Sequence, residues 1–550
     1  MTAVRSHVPR GLQHALLPGL LARLLPSLLA VLLGLPPLLA LGSRPAGAGP
    51  EPSLADLKAQ VLRTLEEKDP AKRSRAFLPL HARKDAAALQ VAVDGAARAA
   101  LAVEKVRAEQ AKAEAAYEKA CTGLDELEKL YEEKNDNSPR ATEAFNKAER
   151  KLSGQRDAAR GTLRDLEADL LAAKALVDAA VVAASTLLGN LEGAELAAGL
   201  DLLEAGWLRA RDEGDALKYF DARGGAKGDL PRARALSVLR DEAATPRVRA
   251  AAVDYLAGVR DGNLPEALVP LLQGPAATFD LLAACVHACE RVHRQGGIEP
   301  LIAFLGRPDA EIGRLRGDAT AALRSLTGQA HGPYRDPWDA WWKAAREGFQ
   351  MPPDPKPHDP GEGQGKGVTF YGIRTFSNRI LLVLDVSLSM EKPDQKGKPE
   401  PRRIDLAKKE AEGAVHNMDD GHRFNVLLFN HSVTAWQPSM VVASEETRRK
   451  AAQWIRDAEH IGGTNIHDAL EAAFRIALKS TGEPLVDTIF FMTDGTPTAG
   501  KLQDPKAILE QVAEWNRTAR LTIHCIAVGE ADGGFLEELA RIGKGTYLRR

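Results

Sequence analysis

The chain reads as a multidomain protein in which an α-helical coiled-coil hairpin and an α-solenoid precede a doubly wound α/β domain. Three observations predict this. Residues 52–190 are rich in Ala, Glu, Lys and Leu with almost no aromatics, and residues 191–346 break into shorter helical segments carrying a repeat. From residue 370 to 550 short apolar runs alternate with amphipathic ones. The first pattern is that of long paired helices, the second that of stacked helix pairs, and the third that of strands covered by helices on both faces. At 550 residues the chain exceeds what one hydrophobic core spans, so several units are expected.

Composition limits the function classes. The chain is 44% hydrophobic and 27% charged, as in ordinary globular proteins. It carries 73 basic against 75 acidic residues, a net charge of -2, and so lacks the basic field that nucleic-acid recognition needs. Its four cysteines, Cys121, Cys285, Cys289 and Cys525, are too few for a disulfide scaffold.

Residues 1–48 have the order of a secretory signal peptide. Arg5, Arg10 and Arg23 form a basic leader, Leu24 to Leu41 an apolar run, and Ala46-Gly47-Ala48 a small-residue cleavage point. The run is also about as long as a bilayer span of roughly 20 residues, which leaves an uncleaved anchor as the alternative. Pro26, Pro36 and Pro37 interrupt it and favour cleavage. No cysteine follows it to carry a lipid anchor. No second long apolar segment is expected, so the rest of the chain should lie on one side of the membrane. The expected location is outside the cytoplasm: periplasmic, cell-envelope or secreted.

Within residues 52–190, Leu124, Leu127 and Tyr131 recur at steps of three and four, as do Leu163, Leu166, Leu170, Ala173 and Val177. That is the seam of a coiled coil. Asn135-Asp136-Asn137-Ser138-Pro139 supplies the turn between two helices that fold back on each other. The segment could also mediate self-association.

Across 191–346, Ala235–Leu239, Leu268–Leu272 and Leu301–Leu305 lie 33 residues apart, each followed by a turn and an Ala-rich helix. "RVRAAAVDYL" and "GDATAALRSL" resemble the second helix of HEAT-type repeats, whose apolar faces need stacking neighbours. Trp338, Trp341 and Trp342 follow at helical spacing, and at least two should close the last repeat's core. Residues 347–369, with "MPPDPKPHDPGEGQGKG", form a Pro- and Gly-rich linker. Its "GEGQGKG" is no phosphate loop: Pro360 stands where a Gly is required, and Gly367 where Ser or Thr should follow Lys366.

In the last segment "RILLVL", "RFNVLLF", "DTIFFMT" and "LTIHCIAV" read as buried parallel strands. Helices are expected over Ile404–Asn417, Glu445–Ala458, Asn465–Leu478, Pro505–Trp515 and Phe535–Ile542. In such folds the binding crevice lies at the carboxyl ends of the strands. Three loops there carry polar groups: Asp385-Val386-Ser387-Leu388-Ser389 after the first strand, Gly462-Gly463-Thr464-Asn465, and Thr493-Asp494-Gly495 after the third.

This set resembles the metal-ion-dependent adhesion site of von Willebrand factor A domains over about residues 370–550. The resemblance implies that Ser387 and Ser389 hold a Mg²⁺ ion (or Mn²⁺ or Ca²⁺) directly and Thr464 directly or through water, with Asp385 and Asp494 acting through water or through hydrogen bonds to the serines. Neutral ligands leave such a cation under-neutralised, so an acidic side chain of a partner protein can complete its coordination. Leu388 departs from the family's usual Gly, and a polar insertion, Glu391 to Arg402, follows the motif.

Other chemistries are weaker. Cys285, His287, Cys289 and His293 fit no common zinc module, and small core residues account for the cysteines. A disulfide between Cys285 and Cys289 is disfavoured by helix geometry. His467 near the Thr464 loop lacks a nucleophile motif, so a metal-dependent hydrolase is the weakest reading and no enzyme is expected. The remaining alternative is an envelope scaffold that binds through its helical repeats.

Overall fold

The computed structural model describes residues 52–67, 70–73, 75–134, 138–208, 213–224, 226, 228–274, 277–308, 313–353, 368–393, 401–478, 485–529, 531 and 533–550. The expected signal peptide, the tip of the hairpin turn, most of the linker and the middle of the Glu391–Arg402 insertion lie outside these residues. The chain divides into two compact units, one of residues 1–210 with 218–231, the other of 211–217 with 232–550.

In the first unit α1 (Leu54–Leu65) precedes two long helices, α2 (Ala88–Lys134) and α3 (Pro139–Gly189). Ser53 caps α1, and Ser138 caps α3 with Pro139 following it, as a helix start favours. The two long helices run antiparallel. Val103 packs with Leu170 and Ala173, Ala113 with Leu163 and Leu166, and Tyr131 lies 4.3 Å from Phe145 by ring centroids. One partner's number rises as the other's falls, which is the signature of a hairpin. The sequence pattern gave no second long apolar segment, and here it must be corrected. α3 is long and apolar enough to cross a membrane by length and composition. Its Ala173, Leu176, Ala180, Ala183, Ala184, Leu187 and Leu188 are nonetheless buried in the structure, so the apolar stretch belongs to this unit's core. The helices α4 (Gly193–Leu203) and α5 (Glu213–Arg223) follow.

In the second unit the helices come in pairs. The first members are α6 (Leu230–Arg240), α8 (Leu264–Gln273) and α10 (Ile298–Phe304), whose starts are 34 residues apart. The second members are α7 (Pro246–Gly258), α9 (Phe279–Val292) and α11 (Leu315–Thr327), and α9 packs between α7 and α11. The 33-residue spacing read in the sequence falls within one residue of the spacing of these helix starts. α12 (Arg335–Ala345) closes the array: Trp338 and Trp342 are buried, Trp338 Nε1 donates to the Gly332 carbonyl at 2.8 Å, and Trp341 is only half-buried.

A small antiparallel hairpin, β1 (Val368–Phe370) with β2 (Ile373–Thr375), leads into the main sheet. Its other strands are β3 (Arg379–Asp385), β4 (Arg423–Phe429), β5 (Val433–Ala435), β6 (Val441–Val442), β7 (Thr488–Thr493), β8 (Thr522–Ala527) and β9 (Lys544–Arg549). The order is β5-β4-β3-β7-β8-β9, with β6 also on β4; β4, β3, β7, β8 and β9 are parallel, and β5 and β6 antiparallel. Alternate residues of the strands serve two cores. Ile380, Leu382, Leu384, Phe490 and Met492 pack with α13 (Arg403–His416) and α14 (Glu445–Asp457). Leu381, Val383, Ile489 and Phe491 pack with α15 (Ile466–Leu478), α16 (Pro505–Ala519) and α17 (Gly533–Ile542). Burial on both faces is why these strands are continuously apolar.

The four buried strands and five helices of this domain were legible in the sequence; the short edge strands β5 and β6, the polar β9 and the β1–β2 hairpin were not. Strand order reverses between β3 and β7, since β4 follows β3 on one side and β7 lies on the other. That switch point opens a crevice at the carboxyl ends of β3 and β7.

Candidate metal centre

Asp385 and Thr493 are the last residues of β3 and β7, so parallel pairing of these strands delivers their loops to one rim. The third loop is tied there through its backbone. Ile461 N donates to the Val386 carbonyl and Leu388 N to the Gly462 carbonyl, both at 3.1 Å, and Asn465 N donates to the Asn430 carbonyl at 2.7 Å. Gly500, at φ +96°, lies where any Cβ would run into the Asn465 side chain, so this close approach requires glycine.

The five residues proposed from the motif converge. Thr464 Oγ1 donates to Ser387 Oγ at 3.2 Å, Ser387 Oγ and Ser389 Oγ are 3.0 Å apart, and Ser389 Oγ donates to Asp494 Oδ1 at 2.6 Å. Because Ser389 and Thr464 spend their single protons on Asp494 and Ser387, Ser387 must donate to Ser389. The hydroxyl protons thus all run toward the Asp494 carboxylate, and each oxygen keeps lone pairs for a cation. Asp385, fully buried, has both oxygens engaged: Oδ1 accepts from Ser387 N at 2.8 Å and Oδ2 from Thr493 Oγ1 at 2.5 Å. Burial pushes its carboxyl up to about 6, against the pull of the Ser387 and Thr493 hydrogen bonds. Asp385 therefore holds the Ser387 loop in shape.

Three hard oxygen donors backed by two carboxylates are the donor chemistry a divalent cation such as Mg²⁺ takes, and the observed clustering fits it. Leu388 does not disturb it. It is the first residue of a short right-handed turn, Leu388–Glu391, and is absent from the positive-φ positions, so the conformational freedom of glycine is not needed here. Its side chain is 55% exposed, as Ile461 is 49% exposed on the loop paired with it, so two large apolar groups face solvent at this rim.

The motif did not reveal Arg403, whose Nη1 donates to Asp494 Oδ2 at 2.7 Å in a buried ion pair. It lies beyond the insertion, and nothing in its local sequence marks it. Of the insertion, Pro393 and Arg402 bridge as an antiparallel pair and Arg403 N donates to the Lys392 carbonyl at 3.0 Å.

His467 serves the third loop from beneath. Its Nδ1 faces Asp468 Oδ1 and its Nε2 faces Gln511 Oε1, both at 2.8 Å, while Asp468 Oδ2 accepts from Asn465 Nδ2 at 2.8 Å. Burial disfavours the imidazolium, but the Asp468 carboxylate outweighs it and holds His467 above its ordinary value. Ligand atoms of His467, Asp468 and Glu471 lie within 4.8 Å of one another, with Lys501 Nζ on Glu471 at 2.7 Å. Cys285 and Cys289 are buried and free in the α9 core, His287 pairs with Asp318 at 3.2 Å, and His293 ends the helix near the Pro352 carbonyl at 3.1 Å. These four residues thus have separate structural uses.

The family model described as "von Willebrand factor type A domain" matches residues 378–548. That region is accordingly a von Willebrand factor type A domain. The inter-alpha-trypsin inhibitor heavy chain H4 of Homo sapiens is 30% identical over 185 residues, which are 32% of this chain and 19% of that one. Heavy chain H2 of Sus scrofa is 28% identical over 176 residues, 31% of this chain and 18% of that one. The chain thus spans about a fifth of the length of these curated relatives. Among solved structures, a von Willebrand factor type A protein from Catenulispora acidiphila matches at 20% identity and TM-score 0.27, covering 31% of this chain and 38% of its own. The PilB minor pilin from Streptococcus sanguinis matches at 14% identity and TM-score 0.26, covering 31% and 56%.

Proposed function

We propose that this protein is an exported, metal-dependent protein-binding module that engages an acidic group of a partner protein. The observation that carries the reading is the hydroxyl chain from Thr464 through Ser387 and Ser389 to Asp494, assembled from three separate loops. Ser387, Ser389 and Thr464 would hold the cation directly, and Asp385 and Asp494 would orient them. A bound Mg²⁺ supplies an electrophilic position for a carboxylate oxygen. Ser389, the part-exposed member of the three, marks the solvent side, and Leu388 and Ile461 would contact the apolar surroundings of the partner's acid. The similarity of residues 378–548 to von Willebrand factor type A domains supports a protein-binding role, and the leader of residues 1–48 supports export. The helical hairpin and the array then act as spacer and support, and no catalytic step is assigned.

The test is Mg²⁺ and Mn²⁺ titration calorimetry on the full chain and its Ser387→Ala variant. It is combined with capture from envelope extract in Mg²⁺ or EDTA. Saturable binding lost in the variant, with capture lost in EDTA, is expected. Capture that survives both EDTA and the substitution overturns the reading.

A further inference from the structure

Arg403 is the first residue of α13, yet its guanidinium reaches the metal rim. The side chain is 8% exposed and that of Asp494 is fully buried. Among the described residues Asp494 is the one hydrogen-bond partner of the guanidinium, and its buried Nε has none. The surroundings are shaped to admit it: at Gly529, φ +63°, a Cβ would stand 2.2 Å from the Arg403 Cζ. A cation this poorly satisfied would not be kept buried by packing alone, because burying an arginine is costly unless a carboxylate compensates it. Asp494 is at the same time the carboxylate on which the hydroxyl chain ends.

Resting on the metal-site reading above, we propose that Arg403 sets the charge of the metal centre, trading cation affinity for affinity toward a partner's carboxylate. Asp385 and Asp494 alone would give the site two negative charges, which a divalent ion would cancel. With Arg403 built in, the loaded site carries a net positive charge and the partner's acid brings it to neutrality. The guanidinium also gives Asp494 a counter-charge when no cation is bound, which keeps the rim folded. In a dry site such a charge acts with little screening.

The experiment uses the full chain as wild type, Arg403→Gln, Arg403→Met and Arg403→Lys, with folding checked by circular dichroism. Mn²⁺ affinity is read by calorimetry, and carboxylate affinity by acetate titration of the Mn²⁺-loaded protein followed through water-proton relaxation. Arg403→Gln and Arg403→Met should bind Mn²⁺ tighter, on the order of tenfold or more, and require several-fold more acetate for half-displacement of water. Arg403→Lys should stay near wild type in both. Folded neutral variants with unchanged or weaker Mn²⁺ affinity would overturn the proposal and leave Arg403 as a mere orienter of Asp494. If wild type and every variant bind no Mn²⁺, the metal reading itself fails and takes this proposal with it.

Discussion

Arg314 in the helical array donates from Nη1 to Thr522 Oγ1, at the first residue of β8, at 2.5 Å. Its Nη2 donates to the Arg520 carbonyl at 3.0 Å, and Arg520 in turn pairs with Asp254 of α7 at 2.8 Å. The array is therefore fixed to the end of the sheet where β8 starts, whereas Asp385 and Asp494 stand where β3 and β7 finish. In a parallel sheet those are opposite ends of the strands, so the array attaches away from the rim that carries Ser387, Ser389 and Thr464.

Arg314 is buried and lies 3.2 Å from Asp318, which is also paired with His287. Burial raises the Asp318 carboxyl, but Arg314 and His287 outweigh it and hold it at about 2. Removing the guanidinium takes the nearest positive charge from that buried carboxylate and leaves it to the His287 contact and the Lys544 charge, so Arg314→Met should lower stability by about 3 kcal/mol. Urea unfolding measures this. Mn²⁺ affinity at the opposite rim should stay within twofold; a large loss there would show that the base and rim of the sheet are coupled.

On the proposed reading of the site, Ser387 and Ser389 should act on binding rather than on folding. Ser387→Ala and Ser389→Ala should each weaken Mg²⁺ binding at least tenfold while costing no more than ~1–2 kcal/mol of stability, the scale of one buried hydrogen bond. Calorimetry paired with thermal unfolding separates the two effects. Wild-type-like Mg²⁺ binding in both variants would remove the hydroxyls from the ligand set.

Acid should weaken the fold through His524. This buried imidazole stacks on Phe490 with ring centroids 4.9 Å apart, and its Nδ1 accepts from Thr546 N at 3.0 Å, so that nitrogen must be unprotonated. Burial pushes His524 down to about 4 from 6.5, and His287 likewise. Since the folded value lies below the unfolded one, the stabilisation is complete above pH 6.5 and is lost as pH falls toward 4. A shift of this size corresponds to roughly 3 kcal/mol per histidine. Urea midpoints at pH 7.5 and 4.5 should differ accordingly, and His524→Asn should show a visibly smaller difference.

Leu388 and Ile461 make no large demand on the fold. Leu388→Ala and Ile461→Ala should change stability by no more than about 0.5 kcal/mol, as exposed substitutions do. Mg²⁺ affinity should be unchanged while Mg²⁺-dependent capture of a partner falls. Undiminished capture by the double variant would show that the apolar pair takes no part in recognition.

Much of this was legible in the chain itself. Apolar runs such as Arg379–Asp385 and Thr488–Thr493 mark buried parallel strands because both faces must be covered. The residues at their ends, Asp385 and Asp494, follow from the rule that loops at strand carboxyl ends form the crevice. The 33-residue spacing of the array and the turn before Pro139 were equally local signals. Tertiary structure alone decided the rest. Arg403 meets Asp494 across 91 residues, and Arg314 meets Thr522 across 208. No periodicity or motif encodes such pairs, because each depends on where two independently folded elements come to lie. Residue type at a strand end is written locally, whereas the buried charge that balances it is chosen by whatever side chain the assembled fold brings within reach.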